Sequence, residues 1–206
     1  MTDRPMLKFK ANREQGFTLI ELLIAMALAL VIIAALSSAF ISQRKTYAIQ
    51  EQVSEMVQGA RAAMDMISRE LKMAGYDPTS TLTLGTTVGV PYSTSQLRIL
   101  ADLNGDGDTS DAHEDIIYTE DSNDKQIDRN TGGGTQPFSE NIESFSFVYY
   151  DEDGNTTTIS SDIRQIEITI EAKTAKPDPN YSHPTYGDGY RRYTLTSRVT
   201  PPNLDF

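Results

Sequence analysis

The sequence contains no cysteine and only two histidines, and its acidic residues outnumber its basic ones. Without cysteine, the chain cannot form disulfides, thiol nucleophiles or cysteine-ligated zinc and iron–sulfur sites. Two histidines, His113 and His183, are too few for a multi-histidine metal centre. The 206 residues include 18 Lys and Arg against 29 Asp and Glu, a formal net charge of −11. Such a chain lacks the basic face that a bulk nucleic-acid binder presents to phosphate, so we expect no nucleic-acid partner.

Patterns typical of catalysis are also missing. Both histidines fall in loop-like stretches, and nothing in the spacing places two carboxylates at the separation that glycoside hydrolysis needs. Three glycines at 132–134 follow Asn130 and Thr131, but no helix follows them, so they fit no phosphate-binding motif. We therefore expect no enzymatic activity.

One long apolar run stands out near the N-terminus. Residues 17–41 contain a single ionisable side chain, Glu21. At about 1.5 Å per residue, a helix of this length covers the ~30 Å hydrocarbon core of a membrane. A cleaved secretory signal has an apolar region of only about 7–15 residues, which argues against that class. A plain signal anchor fits the length but leaves Glu21 unexplained, unless the carboxylate lies near the interface and is merely tolerated.

The residues before this run carry a positive balance. Four basic residues precede it, with two acidic ones: Arg4, Lys8, Lys10 and Arg13 against Asp3 and Glu14. Positive residues ahead of an apolar run favour a cytoplasmic location for that end of the chain. Arg44 and Lys45 on the far side weaken this bias without reversing it. We therefore predict a single membrane pass with a cytoplasmic N-terminus.

The junction between the leader and the apolar run resembles a known processing signal. Residues 16–21 read Gly-Phe-Thr-Leu-Ile-Glu, follow a short basic leader and open the apolar run. This pattern is similar to the class III signal of type IV prepilins. The resemblance implies that a prepilin peptidase cuts after Gly16 on the cytoplasmic side of the inner membrane. It also implies that the new terminal residue, Phe17, is N-methylated, and that Glu21 becomes the fifth residue of the mature protein.

The same resemblance suggests a role for Glu21 in assembly. Cleavage creates a positive α-amino group on Phe17. In a packed filament, Glu21 of one subunit could pair with the new amine of a neighbour. Each charge alone is costly in apolar surroundings, and the two together partly compensate. We therefore expect Glu21 to set the register between subunits.

The helical pattern continues beyond the apolar run. From Gln43 to Ala74 there is no proline and a single glycine, Gly59. Apolar residues recur there at steps of three and four, as expected for one face of a helix: Ile49, Val53, Met56, Ala60, Met64, Ile67, Leu71 and Ala74. We predict one helix over 17–74, with Gly75 as its C-cap and Pro78 beyond it. Its second half should pack on a downstream element; an independent coiled coil is the alternative.

Beyond Gly75 the sequence changes to short β-like runs separated by turn residues. Predicted strands are 82–90, 96–101, 116–120, 125–129, 142–150, 163–172 and 190–199. Alternation of isoleucines with polar residues in 163–171 is typical of antiparallel sheets with one buried face. We predict a hairpin turn at 151–155 and loops at 132–134 and 173–189.

A long N-terminal helix on an antiparallel sheet also resembles the pilin fold, an α+β class. Residues 43–76 are similar to minor pilins of the PilW type. This predicts four parts: a cleaved leader (1–16), the membrane or filament-core half of the helix (17–41), its amphipathic second half (42–75) and a β-rich globular domain (76–206). Many major pilins carry a proline where this chain has Ser37 and Ser38, so a bend there stays open.

An acidic segment between two predicted strands resembles the start of an EF-hand calcium loop. Loop positions 1, 3, 5 and 9 would be occupied by Asp102, Asn104, Asp106 and Ser110. Gly107 would permit the sharp turn at position 6, and Asp108 adds a further carboxylate. Position 12 is His113, with Glu114 one residue late. We predict a Ca²⁺ site formed by Asp102, Asn104, Asp106, Asp108, Ser110 and Glu114; a solvated turn that binds nothing tightly is the alternative.

These features together predict a minor type IV pilin of the PilW type that helps to initiate or cap a pilus. Its expected partners are other pilin subunits, the prepilin peptidase, an inner-membrane assembly platform and, before assembly, membrane lipid. We expect it first in the inner membrane and then in a periplasmic or extracellular fibre. A type II secretion pseudopilin is one alternative, and a signal-anchored, calcium-dependent surface binding module is another. The sequence does not distinguish adhesion, DNA uptake and motility.

Overall fold

A computed structural model of the protein describes residues 16–204. The predicted leader therefore lies outside the described residues, apart from Gly16 at its end. The chain divides into two compact units, one up to Tyr47 and one from Ala48 onward.

The first element, α1, is a helix over Leu19–Leu71, 53 residues long. It continues without a break through Ser37 and Ser38. Its regular part ends three residues before the predicted Ala74, because Met73 and Ala74 donate their backbone N–H groups three residues back rather than four. Gly75 has a positive φ of 81° and donates its N–H to the carbonyl of Leu100. This glycine ends the helix and ties it to the first strand.

The first unit consists of the apolar part of α1. The large apolar side chains from Phe17 to Ile41 are all more than half exposed. By length and composition, α1 is the one helix among residues 16–204 that could cross a membrane. A surface of this kind is stable only in lipid or against other apolar chains.

The second unit contains seven strands in two antiparallel sheets. The strands are β1 (Gln96–Leu100), β2 (Asp115–Asp121), β3 (Gln126–Asn130), β4 (Thr135–Glu140), β5 (Ile142–Tyr150), β6 (Gln165–Lys173) and β7 (Arg192–Val199). One sheet has the order β1-β2-β3-β4 and the other the order β5-β6-β7. A long N-terminal helix followed by antiparallel sheets confirms the predicted α+β class.

One predicted strand is wrong, and one strand of the structure was not predicted. Residues 82–90 form isolated bridges instead of a strand, because Gly85 and Gly89 adopt positive φ and Thr83 accepts three backbone N–H groups in a tight turn. Strand β4, which contains Pro137, was not predicted. Its position at the edge of the sheet, opposite an irregularity in β3 between Ile127 and Asp128, explains how the proline is accommodated.

The two predicted loops are correct, and the turn at 151–155 is only partly so. Asp151 donates its N–H to Asn155, but Tyr150 then pairs with Thr156 in a single bridge, and β6 starts only at Gln165. The chain therefore reverses at the predicted place without forming a simple hairpin.

One hydrophobic core joins the second half of α1 to both sheets. The predicted stripe is confirmed from Met56 to Ala74, with Val53 partly buried at its edge. In β6, the buried side chains alternate as predicted, at Ile166, Ile168 and Ile170. Burying these side chains is the main favourable contribution to folding of this unit.

A charged residue also lies in this interface. Glu70 on α1 is buried and pairs with Arg129 on β3, and the hydroxyl of Tyr118 on β2 donates to the same carboxylate. Burial, followed by the contact with Glu70, raises the pKa of Tyr118. The helix is therefore fixed to the first sheet by a specific polar contact as well as by apolar packing.

Candidate functional site

The acidic segment forms the connection between β1 and β2. Asp102 is completely buried, and its two carboxylate oxygens accept the backbone N–H groups of Gly105 at 2.6 Å and Gly107 at 3.1 Å. Both glycines have positive φ, a conformation that a side chain would disfavour. Asp102 therefore holds the shape of the loop from inside.

Further along, three side chains each accept a backbone N–H two residues ahead. Asn104 accepts from Asp106, Asp106 from Asp108, and Asp108 from Ser110, at 2.8–3.1 Å. The N–H of Ser110 is the chief reason that the pKa of Asp108 lies below its usual value. Residues 104–110 therefore form three successive turns, each closed by a side chain.

Glu114 closes the loop from its other end. It is only 2% exposed, and its Oε1 accepts the backbone N–H groups of Leu103 at 2.9 Å and Asn104 at 3.2 Å. Its Oε2 is buried without a hydrogen-bond partner among the described residues. The Glu114 side chain, one residue after the predicted position 12 at His113, is therefore the one that contacts the loop backbone.

Three of the six predicted calcium ligands lie close together. One carboxylate oxygen from each of Asp106, Asp108 and Glu114 lies within 4.8 Å of the other two. Asp102 is occupied by backbone N–H groups, and the Asn104 amide donates to Asp106 and to Asp111. Ser110 contributes its N–H to Asp108. The geometry thus selects a smaller group of carboxylates within the predicted set.

A second charged cluster, which the sequence did not reveal, surrounds Arg192 at the start of β7. Its side chain is only 4% exposed and donates to both oxygens of Asp188 at 2.8 Å and to Glu143 at 2.9 Å. The Tyr186 ring lies 3.8 Å from the guanidinium carbon. Hydrogen bonds from Arg192 lower the pKa of Asp188 to about 2. The cluster fixes the 174–191 loop on the sheet.

At the other end of the chain, the predicted cleavage site is open. Phe17 is 90% exposed. A Cβ placed on Gly16 would meet no atom within 4 Å among the described residues. Internal packing therefore does not require glycine at position 16, so a requirement there would come from an outside partner such as a peptidase.

Glu21 takes part in a local motif that the sequence analysis missed. The backbone N–H and the hydroxyl of Thr18 both donate to Oε2 of Glu21 at 2.8 Å, and the N–H of Glu21 donates back to Oγ1 of Thr18 at 3.3 Å. This is a capping box, and the spacing Thr-x-x-Glu before the apolar run is its sequence signal. It explains why α1 begins at Leu19.

The match to a known family falls on this same segment. Residues 11–37 match the family model for the prokaryotic N-terminal methylation motif. Gly16, Phe17 and Glu21 all lie inside the matched range.

Several solved structures are similar to this chain. A type IV-like pilin from Thermus thermophilus is similar at 14% identity and a TM-score of 0.46, over 73% of this chain and 98% of that one. A search of curated proteins finds no match.

Proposed function

We propose that this protein is a minor type IV pilin of the PilW type. It is inserted in the inner membrane with a cytoplasmic N-terminus, cut after Gly16 by a prepilin peptidase and methylated at Phe17. It then joins other pilin subunits through an assembly platform and helps to initiate or cap the fibre.

The observation that carries this proposal is the position of the methylation motif. It opens a helix whose large apolar side chains, from Phe17 to Ile41, are exposed. Apolar surface removed from water is worth roughly 25 cal/mol per Å², so such a helix needs lipid before assembly and neighbouring helices after it. A filament core supplies those neighbours.

The geometry of Glu21 supports the same role. Both Thr18 donors contact Oε2, so Oε1 accepts no hydrogen bond from residues 16–204. After cleavage, the Phe17 amine of a neighbouring subunit can reach a carboxylate that is already held in place. A fixed carboxylate loses little side-chain entropy on pairing, which favours one register between subunits.

The minor-pilin assignment rests on the stretch 43–76 and its similarity to PilW-type proteins. In this structure the stretch covers the second half of α1 and its end at Gly75. A pseudopilin shares the same N-terminal signal, so the assignment to a pilus needs its own test.

The test has two readouts on the full chain in a host with a type IV pilus. Mass spectrometry should find loss of residues 1–16 and a methyl group on Phe17, and sheared surface filaments should contain the protein. Gly16→Leu should remain uncut, although no atom of residues 16–204 lies within 4 Å of a Cβ placed on Gly16. Normal cleavage of Gly16→Leu would contradict the assigned site. A processed protein that stays in the envelope when filaments are sheared would contradict pilus incorporation and favour the pseudopilin.

A further inference from the structure

We propose that the loop between β1 and β2 binds one Ca²⁺ ion through the carboxylates of Asp106, Asp108 and Glu114. All residues of this site lie in the unit from Ala48 onward, outside the methylation motif at residues 11–37. Calcium binding by this loop can therefore be tested independently of the proposed pilin function.

The strongest indication is the state of Glu114. Its side chain is buried, and Oε1 is already satisfied by two backbone N–H groups. Its Oε2 is buried with no hydrogen-bond partner in the described part of the chain. A buried polar atom without a partner is rare and costly, and it calls for a water or an ion. A cation beside Oε2 would satisfy it.

The surroundings of Glu114 point to a cation rather than a water alone. Asp106 and Asp108 each place a carboxylate oxygen within 4.8 Å of a Glu114 oxygen. Three carboxylates at this distance repel one another unless a cation lies between them. Among the described residues, no Lys or Arg side chain forms an ion pair with any of these three carboxylates.

The chemistry of the donors favours Ca²⁺. All three side chains offer oxygen, which suits hard cations, and the nearby His113 nitrogen is not part of the group. Ca²⁺ accepts about 6–8 oxygens in flexible geometry, whereas Mg²⁺ demands a near-ideal octahedron. A loop built from consecutive turns provides the flexible kind of site, with solvent completing the coordination on the exposed side of Asp106 and Asp108.

Hydrogen bonds to the backbone hold the rest of the loop around this group. Asp102 anchors the backbone at Gly105 and Gly107, and Glu114 anchors it at Leu103. A bound ion would thus connect the end of β1 to the beginning of β2. Binding to the folded state alone raises the free energy of unfolding, so calcium should stabilise this hairpin.

The experiment uses the full chain in detergent, freed of divalent ions with a chelator and titrated with CaCl₂ in a calorimeter. We expect saturable binding of one ion with a Kd no weaker than about 1 mM, as in extracellular calcium modules. The thermal unfolding midpoint should rise in calcium relative to chelator.

Two variants remove one charge from the group, and two controls remove one charge elsewhere. Asp106→Asn and Glu114→Gln should each weaken binding by about tenfold or more, since each loses an anionic ligand. Asp111→Asn changes the same loop outside the group, and Asp153→Asn changes a distant exposed turn. Both controls should bind calcium within about threefold of the unmodified protein.

Three results would overturn the proposal. One is no saturable heat and an unchanged unfolding midpoint up to about 10 mM calcium, beyond the range of known protein sites. Another is an equal loss of calcium affinity in Asp106→Asn and Asp111→Asn, which would indicate that the negative charge of the loop attracts calcium without a defined site. The third is equal affinity for Mg²⁺. Because Asp106 is exposed, its variant keeps the test decisive even if Glu114→Gln fails to fold.

Discussion

The buried carboxylate of Glu70 on α1 pairs with the guanidinium of Arg129 on β3, across the interface between the helix and the first sheet. Tyr118 donates to the same carboxylate. The Glu70 side chain is 10% exposed and that of Arg129 is 19% exposed. Little water therefore screens this pair, and removing one partner would leave the other charged and poorly solvated.

We predict that Arg129→Ala destabilises the second unit by about 3 kcal/mol, the cost of breaking a largely buried ion pair. Denaturant unfolding followed by tyrosine fluorescence measures the change. The matched control is Arg98→Ala, because Arg98 pairs with Asp115 in a more exposed position. That variant should lose only about 1 kcal/mol or less. Equal losses in the two variants would show that burial of the Glu70–Arg129 pair contributes nothing.

The charge of Glu21 and its capping role can be separated by substitution. Glutamine also serves in a capping box, so Glu21→Gln keeps the start of α1 and removes the anion. We expect normal insertion and cleavage, because a costly charge is removed from the apolar run. Incorporation into filaments should fall severalfold, since the Phe17 amine loses its partner.

Thr18→Ala supplies the opposite change. It removes the hydroxyl that donates to Glu21 and leaves the carboxylate charged. The backbone N–H of residue 18 still donates to Oε2, so filament incorporation should fall less than in Glu21→Gln. Quantification of each variant in sheared filaments, relative to total processed protein, measures the effect. If Glu21→Gln assembles as well as the unmodified protein, pairing with the amine does not set the register.

Two glycines in the second half of the helical region should respond in opposite directions. Gly75 has a φ of 81°, and a Cβ there would lie 2.7 Å from the carbonyl oxygen of Asn203 and 2.8 Å from a Leu204 methyl carbon. Gly75→Ala should therefore lower the free energy of unfolding by about 1–3 kcal/mol. Gly59 lies within α1 with nothing near its Cβ position. Gly59→Ala should raise the free energy of unfolding by about 0.4–1 kcal/mol.

Thermal and denaturant unfolding of both variants would test this contrast. The two substitutions are chemically identical, so any difference reflects the backbone conformation and the space at each site. A Gly75→Ala variant as stable as the unmodified protein would mean that the 202–204 turn moves away freely from the end of α1.

Periodic features of this protein were predictable from sequence because many residues carry each one. The stripe on α1 and the isoleucines of β6 repeat over several turns or residue pairs, and the core confirms both. Single exceptions were not predictable. Glu70 interrupts the expected apolar interface because Arg129, 59 residues away, satisfies it, and no local pattern encodes that contact.

The candidate site shows the same division. The spacing of Asp106, Asp108 and Glu114 was visible, but the burial of Glu114 depends on the pairing of β1 with β2. Thr18 and Glu21 also have the spacing of a capping box, but the same residues were interpreted only as part of a prepilin signal. The Arg192 cluster was inaccessible from sequence, since Glu143 and Arg192 meet only through the antiparallel pairing of β5, β6 and β7.

The cluster around Arg192 predicts how the free energy of unfolding changes at low pH. The pKa of Asp188 is lowered to about 2, chiefly by hydrogen bonds from Arg192. Burial opposes ionisation of Glu143, but hydrogen bonds from Arg192, Lys125 and Lys173 outweigh it and lower its pKa as well. A lowered carboxyl pKa in the folded state gives stability that is present above the unfolded value, near 4, and lost as the pH falls through the folded value.

We therefore expect Asp188→Asn to be less stable than the unmodified protein at pH 7 and to lose less stability between pH 4 and pH 2. Arg192→Gln should flatten the acid dependence further, because Arg192 acts on both Asp188 and Glu143. In the double variant, Asp188→Asn should add little to Arg192→Gln, since the two residues form one unit. Denaturant unfolding at pH 7, 4 and 2 measures these slopes. An additive double variant, or an unchanged slope in Arg192→Gln, would place the acid-sensitive groups elsewhere in the protein.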